Sequence, residues 1–401
     1  MSKRILFLST HNLATNPRVV KEIELALQYG YAVTVVCFEF NNWSKPLNEE
    51  IKKRLASKIN YQSIPGNRKP LLSWLISSLF FSLSKTGLIF FPRNKYLLSL
   101  RSNKRSWLLN RALRKLKERF DLVVAHNPGS FYPAMIFAKK NKIPFGIDLE
   151  DYHAGENKDE KVNTIYRRLN SAILPHAAYV TGASPLILEY SEADLPVALK
   201  NRQVVSNYFS LTEFVSPAKN TSEKLTLVWF SQNISFQRGL EQLIGSIKDN
   251  DQVELHLFGN CNESFKEQWL SGTRNIHLHS SLPQHELHLQ LSKFDVGLAI
   301  EPGKDLNNEL ALSNKMLAYF QSGLYILASN TKAQAGFIHE HPDHGVLTSL
   351  SPGDVKQAIQ KLVDQKQSLR ALAKERFEKA KELNWESESA KLVRIWEGVC
   401  H

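Results

Sequence analysis

The strongest constraint on the fold is an alternation that occurs twice. Residues 4–150 carry short apolar, β-branched runs, RILFLST, YAVTVVCF, FDLVVAH and IPFGIDLE, separated by amphipathic stretches such as NPRVVKEIELALQYG and FYPAMIFAKKNK. Runs that are apolar on both faces and joined through helices predict parallel strands in a sheet covered on both sides. After AAYVTGASPLILEYS the chain crosses VVSNYF and the polar segment SPAKNTSEK. The alternation then restarts with LTLVWFS, RGLEQLIGSI, VELHLFGN, NIHLHSSL, HELHLQLSKF, DVGLAIE, SNKMLAYFQSG and LYILAS. A polar junction between two similar series predicts an α/β protein of two Rossmann-like, doubly wound domains, with the boundary near residues 200–220. We expect the first domain at 1–205, the second at 206–380, and a C-terminal helix at 381–401 packing back on the first. Ligands of such sheets bind outside the carboxyl ends of the strands, so the residues just after each strand are the candidates and a cleft between facing domains is the expected site.

Composition narrows the class. Of the 401 residues 43% are hydrophobic and 22% charged, which is globular and excludes collagen, coiled coil and low-complexity chains. Cys37, Cys261 and Cys400 match neither a disulfide framework nor a metal knuckle, so they read as inert thiols of a reducing compartment. The start, MSKRILFLSTHN, lacks a small-residue cleavage site and reads as a first buried strand of a cytoplasmic protein.

The formal charge of +12 is concentrated in one place. Residues 93–119 hold ten Lys or Arg against one acid, Glu118, which implies an anionic partner. Just before them runs LLSWLISSLFFSLSKTGLIFF, residues 71–91. Its uninterrupted part, Leu71 to Ser84, contains five serines and ends at Lys85, shorter than the ~20 residues that cross a bilayer, so a span is not expected. Leu72, Leu75, Ile76, Leu79 and Leu83 share a helical face, with Trp74 and Phe81 nearby, and an apolar face beside a basic run suits the surface of an anionic membrane, making 68–119 a membrane-proximal segment. The alternatives are a core helix beside a solvated basic face and a nucleic-acid patch. No aromatic–basic recognition module supports the last, so nucleic acid is not expected as a partner.

Several residues after strands carry chemistry. Arg238, with Gln232 and Gly239 in the same turn, follows the first strand of the second domain and opens a helix, where a cation and free N–H groups suit a diphosphate. A solvated arginine at a helix start is the plainer reading. Ser313, Asn314 and Lys315 begin another helix, as a phosphate or ribose contact or as an ordinary cap. Glu301 directly follows DVGLAI, and Glu309 stands in the Asn-rich loop LNNELAL, as a sugar ligand or a solvated acid. In the first domain Asn16 and Arg18 follow strand one. His126 and the cluster DLEDYHAGE, with Asp148, Glu150, Asp151, His153 and Glu156, follow later strands as candidate sugar or acceptor contacts.

The order of TNPRVVKEIELALQYGYAVTVV, the acidic turn after IPFGI, SFQRGLEQLI, SNKMLAYFQSGLYILAS and LNWESESAKLVRIW resembles the group-1, retaining glycosyltransferases of the GT-B fold over nearly the whole length. The resemblance implies a nucleotide diphosphate sugar donor, a sugar or lipid-linked hydroxyl acceptor, as in bacterial cell-surface polysaccharide or glycolipid assembly, and neither metal nor cofactor. It implies that Arg238 grips the diphosphate; by their positions Glu301 or Glu309 and the Asp151–His153 cluster are expected to orient the sugars, which makes Arg238, Glu301, Glu309, Asp151 and His153 the catalytic candidates. In the family a ribose-binding glutamate stands five residues before the glycine matching Gly323, and here that place is Ala318. Its partner would be Leu310, so Glu301 and Glu309 are out of register, and the ribose must be held otherwise. The family's histidine after the DLED strand is replaced by Glu150, with Asp151 and His153 following. A nucleotide-sugar epimerase, a non-catalytic binding protein and a metal-dependent transferase using Asp148 and Glu150 are the rival readings.

Overall fold

The computed structural model describes residues 2–193 and 195–400 and divides into two compact units, 1–206 together with 389–401, and 207–388. The first is built on a seven-stranded parallel sheet: β1 (Arg4–Ser9), β2 (Ala32–Glu39), β3 (Ile59–Pro65), β4 (Leu122–His126), β5 (Phe145–Leu149), β6 (Tyr179–Gly182) and β7 (Arg202–Val204), in the order β3-β2-β1-β4-β5-β6-β7. Strands β1 and β4 are buried on both faces, which is why they read as continuous apolar runs rather than alternating ones.

The second unit repeats the plan with β8 (Leu225–Ile234), β9 (Val253–Cys261), β10 (Ile276–His279), β11 (Val296–Ala299), β12 (Tyr325–Ser329) and β13 (Gly345–Thr348), in the order β10-β9-β8-β11-β12-β13. Helices cover both faces. One layer of core holds Trp229, Leu243, Ile244 and Ile359, the other Met316, Tyr319, Phe320 and Phe377. In each sheet the strand order reverses at one point, between β1 and β4 and between β8 and β11. The carboxyl ends of those pairs are where an open α/β sheet leaves a crevice.

Two segments differ from expectation or complete a unit. The apolar helix does not stop at Lys85 but runs from Leu71 to Phe90. A lysine keeps its stem along an apolar helix while its ammonium reaches water, so it interrupts a hydropathy run without ending the helix. The stop comes at Phe91, held out of helical backbone by Pro92. By length and composition it is the one helix among the described residues that could cross a membrane. The last helix, Trp385–Val399, gives its residues from Ser389 onward to the first unit. There the fully buried Trp396 donates to Tyr179 Oη at 2.9 Å and sets its ring edge-on to Phe7.

Candidate active site

In the first unit, strand register builds a row. Ser9 is paired with His126, His126 with Asp148, and Asp148 with Thr181, so four polar residues lie side by side near the carboxyl ends of β1, β4, β5 and β6. The helix Pro17–Gln28 adds Arg18 and Glu22, one turn apart on its inner face. Arg18 donates through Nε to Glu22 Oε1 at 3.0 Å, through Nη2 to Asp148 Oδ1 at 3.1 Å, and through Nη1 to the Val205 carbonyl at 2.7 Å. His126 stands between the two carboxylates, 3.3 Å from Glu22 Oε2 and 3.5 Å from Asp148 Oδ2. All four charged groups are buried.

Charges out of water are tolerable only when paired, and these four pair. Burial alone would push the His126 imidazolium to a lower pKa, but Glu22 and Asp148 outweigh it and hold the pKa up at about 10. Burial alone would raise Asp148; Arg18 and His126 overcome this and hold it below its ordinary range. The network is therefore two cations against two anions.

This corrects one expectation. Arg18 and His126, taken from the sequence as acceptor or sugar contacts, are enclosed, and every described bond they make is internal. They hold the Asp148 carboxylate in place and ionised. At the mouth of the row stands Glu150, which is partly exposed and whose pKa is pushed up to about 8 by burial and by the neighbouring Asp148 charge. Asn16, also buried, donates to both of its carboxyl oxygens, at 3.0 and 2.7 Å, in the amide orientation that satisfies both side chains. A carboxyl raised in this way exchanges its proton near neutral pH. Asp151 and His153 follow on the partly exposed turn, where His153 Nδ1 lies 3.1 Å from the Asp151 carbonyl oxygen.

Three participants were missed in the sequence. Glu22 had a signal, its four-residue spacing from Arg18 on one helix face. His11 lies two residues past the end of β1, by the same carboxyl-end logic that selected His126. Its imidazole is kept neutral, with a pKa lowered to about 4 by burial, by His153 and by Arg105. Arg105 carried no signal, being one of many basic residues in its stretch; it turns inward, with its guanidinium 4.5 Å from the Phe40 ring centre.

In the second unit the candidates lie at the ends of β8 and β11. A bulge between Phe230 and Asn233 breaks the β8 ladder and leaves Gln232 exposed. The turn that follows places Arg238 between two left-handed residues, Gln237 at φ 61° and Gly239 at φ 77°. Glycine is required at 239: its φ disfavours any side chain, and a Cβ would lie 2.6 Å from Ile300 Cγ2. Arg238 is partly exposed, bonded to Ser231 Oγ at 3.3 Å, beside a helix, Leu240–Ile247, whose N-terminus has no side-chain cap.

Ile300 immediately precedes Glu301. The Glu301 carboxylate forms an ion pair with Lys315 Nζ at 2.8 Å, and both side chains are largely but not wholly enclosed. Lys315 also lies 5.5 Å from the ring centre of Trp229. Ser313 caps its helix, Asn314–Gln321, accepting from Met316 N at 3.3 Å, while Asn314 is exposed. Glu309 accepts from the Lys332 backbone N–H at 3.0 Å and so closes the start of the helix Lys332–Glu340. Ala318 is fully buried in the core beside Tyr319 and Phe320. Gly323, at φ 72°, ends this helix where a Cβ would meet the Ala373 carbonyl at 2.7 Å.

Among the described residues, three groups bring metal-ligating atoms within 4.8 Å of one another: Glu22–His126–Asp148, Asp151–His153–Glu156 and Glu254–His256–His277. In the first, Arg18 already supplies positive charge to both carboxylates. The second lies on the partly exposed turn after β5. Asp148 with Glu150 is not among these groups.

With this geometry in view, solved structures are found that match nearly the whole chain. Sucrose-phosphate synthase of Thermosynechococcus elongatus is similar with a TM-score of 0.70 at 13% identity, covering 99% of this chain and 98% of that one. HepE of Anabaena, in complex with UDP and glucose, gives 0.68 at 14%, covering 99% and 100%. The lipopolysaccharide outer core galactosyltransferase WaaB gives 0.60 at 12%, covering 97% and 99%. The chain has the GT-B fold. No protein-family model and no curated protein matches it in sequence, so the likeness is one of architecture. Each unit of this GT-B chain carries its candidates at or just beyond the carboxyl ends of strands at the point of reversal, joined in the first unit by those of the next strand, β5.

Proposed function

We propose that the protein is a glycosyltransferase that moves a sugar from a nucleotide diphosphate donor to a hydroxyl of a sugar or lipid-linked acceptor, with retention at the anomeric carbon. The observation that carries this reading is the arrangement after β8 and β11. A rigidly placed arginine stands beside an uncapped helix N-terminus, next to the Glu301–Lys315 ion pair. Cations and free N–H groups so placed stabilise a diphosphate as it gains charge on departure. HepE, of the same fold, was found with UDP and with UDP-glucose, which makes a uridine donor the first to test.

In the reaction, the bond between the anomeric carbon and the β-phosphate oxygen breaks and the acceptor oxygen bonds to that carbon from the same face. The acceptor proton passes to the departing phosphate. Arg238, Lys315 and the N-terminus of Leu240–Ile247 hold the leaving group, and Glu301 orients the sugar. Ser313 and Asn314, with Gln232 and Gly239, line the nucleotide. With Ala318 in the core, the exposed Asn314 or backbone amides bind the ribose. Glu150, Asp151 and His153 receive the acceptor. No metal is required in this scheme, so full turnover in chelator is expected; the Asp151–His153–Glu156 group is where a dependence on divalent cation would originate. The product belongs to cell-surface polysaccharide or glycolipid assembly, on the cytoplasmic face of a membrane.

A thermal-shift panel of nucleoside diphosphates and their sugars tests the reading, with at least one expected to raise the melting temperature. Stabilisation by none of them would overturn it in favour of a non-catalytic protein. Incubation of the donor alone separates the epimerase rival: slow hydrolysis supports transfer, and an epimerised donor overturns it.

A further inference from the structure

The helix Leu71–Phe90 is amphipathic in the wrong sense for a protein surrounded by water. Its inward side is lined by small residues: Ser77 and Ser84 are buried, and a Cβ on Gly87 would come within 2.9 Å of Leu97 Cδ1. The two serine hydroxyls bond back to their own helix, at the carbonyls of Trp74 (2.9 Å) and Phe81 (2.7 Å), so the seam needs no polar partner. The outward side is a row spaced three or four residues apart as far as Leu83, with Phe90 two turns further on: Leu72 is 70% exposed, Leu75 49%, Leu79 58%, Leu83 55% and Phe90 72%. A helix normally turns its leucines to the core, and this one turns four of them, Leu72, Leu75, Leu79 and Leu83, outward while Ser77 and Ser84 face in beside Leu88. A continuous exposed apolar row of this length marks an interaction surface.

The charge around it selects the partner. Between Glu50 and Glu118 the chain carries sixteen Lys and Arg and not one acidic residue. Arg68, Lys69 and Arg93 flank the helix, Lys85 stands within it, and all four are exposed. Others lie against its aromatic shoulders, Arg101 4.6 Å from the Phe81 ring centre and Lys104 4.9 Å from that of Trp74. Apolar residues at the tip, aromatic rings at the shoulder and cations behind them are the layers of a bilayer's own interface, from acyl chains through headgroup level to anionic phosphate.

The orientation follows from packing. The seam side rests on the helices Lys95–Ser102 and Arg105–Leu113, so lipid has access to one side of the helix only. We infer that Leu71–Phe90 is an in-plane membrane anchor that seats the first unit on an anionic phospholipid surface by inserting the Leu72–Leu75–Leu79–Leu83–Phe90 row. It does not span the bilayer. This deepens the proposed transfer to a lipid-linked acceptor, since such an acceptor is offered only at the membrane, yet it is measurable with neither donor nor acceptor present.

Flotation of the full-length protein with vesicles of phosphatidylglycerol and phosphatidylcholine, compared with phosphatidylcholine alone, tests it. Strong co-flotation on the anionic vesicles at low salt is expected, with binding weaker by about tenfold or more on the neutral ones. Trp74 fluorescence should be quenched by lipids brominated near the headgroup and not by lipids brominated at the chain ends. The triple variant Leu72→Ser, Leu75→Ser, Leu79→Ser should bind about tenfold more weakly or worse while keeping its melting temperature. If that variant misfolds, Lys85→Glu with Arg93→Glu, both exposed, should remove the preference for anionic vesicles instead. Equal binding to neutral vesicles, or undiminished binding by the triple variant, overturns the inference. So does a wild-type dimer that the triple variant dissolves with no vesicle binding by either, for the row would then be a contact between copies. Absence of nucleotide binding together with normal flotation would overturn the transferase reading and leave the anchor standing.

Discussion

The two units place charges at the same point of the same sheet plan and treat them in opposite ways. In the first, Arg18, Glu22, His126 and Asp148 are sealed inside and neutralise one another. In the second, Arg238 and the Glu301–Lys315 pair stay partly open, fixed by backbone and neighbours but not consumed by them. Position after a strand therefore identifies where chemistry is possible, while burial decides whether a residue touches a ligand or holds up the one that does.

Substitutions should separate the two kinds. The largest expected effect is on stability, from Arg18→Ala, which leaves Glu22 and Asp148 buried without their guanidinium. A loss of about 3–5 kcal/mol in urea unfolding is expected, the usual cost of breaking a buried ion pair from one side. A variant that stays as stable as the wild type would show the network to be hydrated and open to ligand. Arg238→Ala should do the converse, leaving the unfolding midpoint in place and weakening nucleotide diphosphate binding by about ten- to a hundredfold, as for a lost charge-assisted hydrogen bond. Titration calorimetry measures it, and Arg238→Lys should restore part of the affinity.

Glu301→Gln sharpens the same contrast at smaller amplitude. It keeps the shape and removes the charge facing Lys315, so kcat/KM should fall about tenfold with little change in stability. Ala318→Glu, which would restore a glutamate at the family's ribose position, should bring no gain in nucleotide affinity. The methyl of Ala318 is packed between core side chains, and a larger group there costs about 1–3 kcal/mol through overpacking alone. Tighter binding by this variant would mean that the helix Asn314–Gln321 shifts to open a ribose pocket.

How far these features were legible follows from their range in sequence. Parallel strands were readable because burial on both faces writes itself into every residue of runs such as FDLVVAH. The turn at Arg238 and Gly239 was readable because strand, cation and helix start are adjacent in the chain. The partners of Arg18 were not: Asp148 lies 130 residues away, and only register across β1, β4 and β5 brings it near. Glu301 and Lys315 were each selected, but their pairing was not, because it depends on the loop between β11 and the next helix. The leucine row from Leu72 was visible as a helix face. That it points outward depends on which neighbours the serines meet, and periodicity does not encode that.

The smallest expected effect, and the most discriminating for the enclosed network, is its dependence on pH. Glu150 is raised from 4.5 to about 8, so between those values the folded chain holds a proton that the unfolded chain has released. Its contribution is complete below pH 4.5 and is lost as pH rises through 8. His126 is raised from 6.5 to about 10; it contributes fully below 6.5 and loses that contribution as pH rises through 10. Asp148 runs the other way, its stabilisation being present above its unfolded value of 3.8 and lost in acid. The three together predict greatest stability near pH 4–5 for this group, then a decline that begins with Glu150 and continues with His126. Melting curves across this range check it, and Glu150→Gln should flatten the part between pH 4.5 and about 6.5, where His126 still contributes in full and has not begun to lose its proton. A wild-type profile already flat there would mean that the Glu150 carboxyl ionises freely, and the mouth of the row would then carry a general base rather than a proton donor.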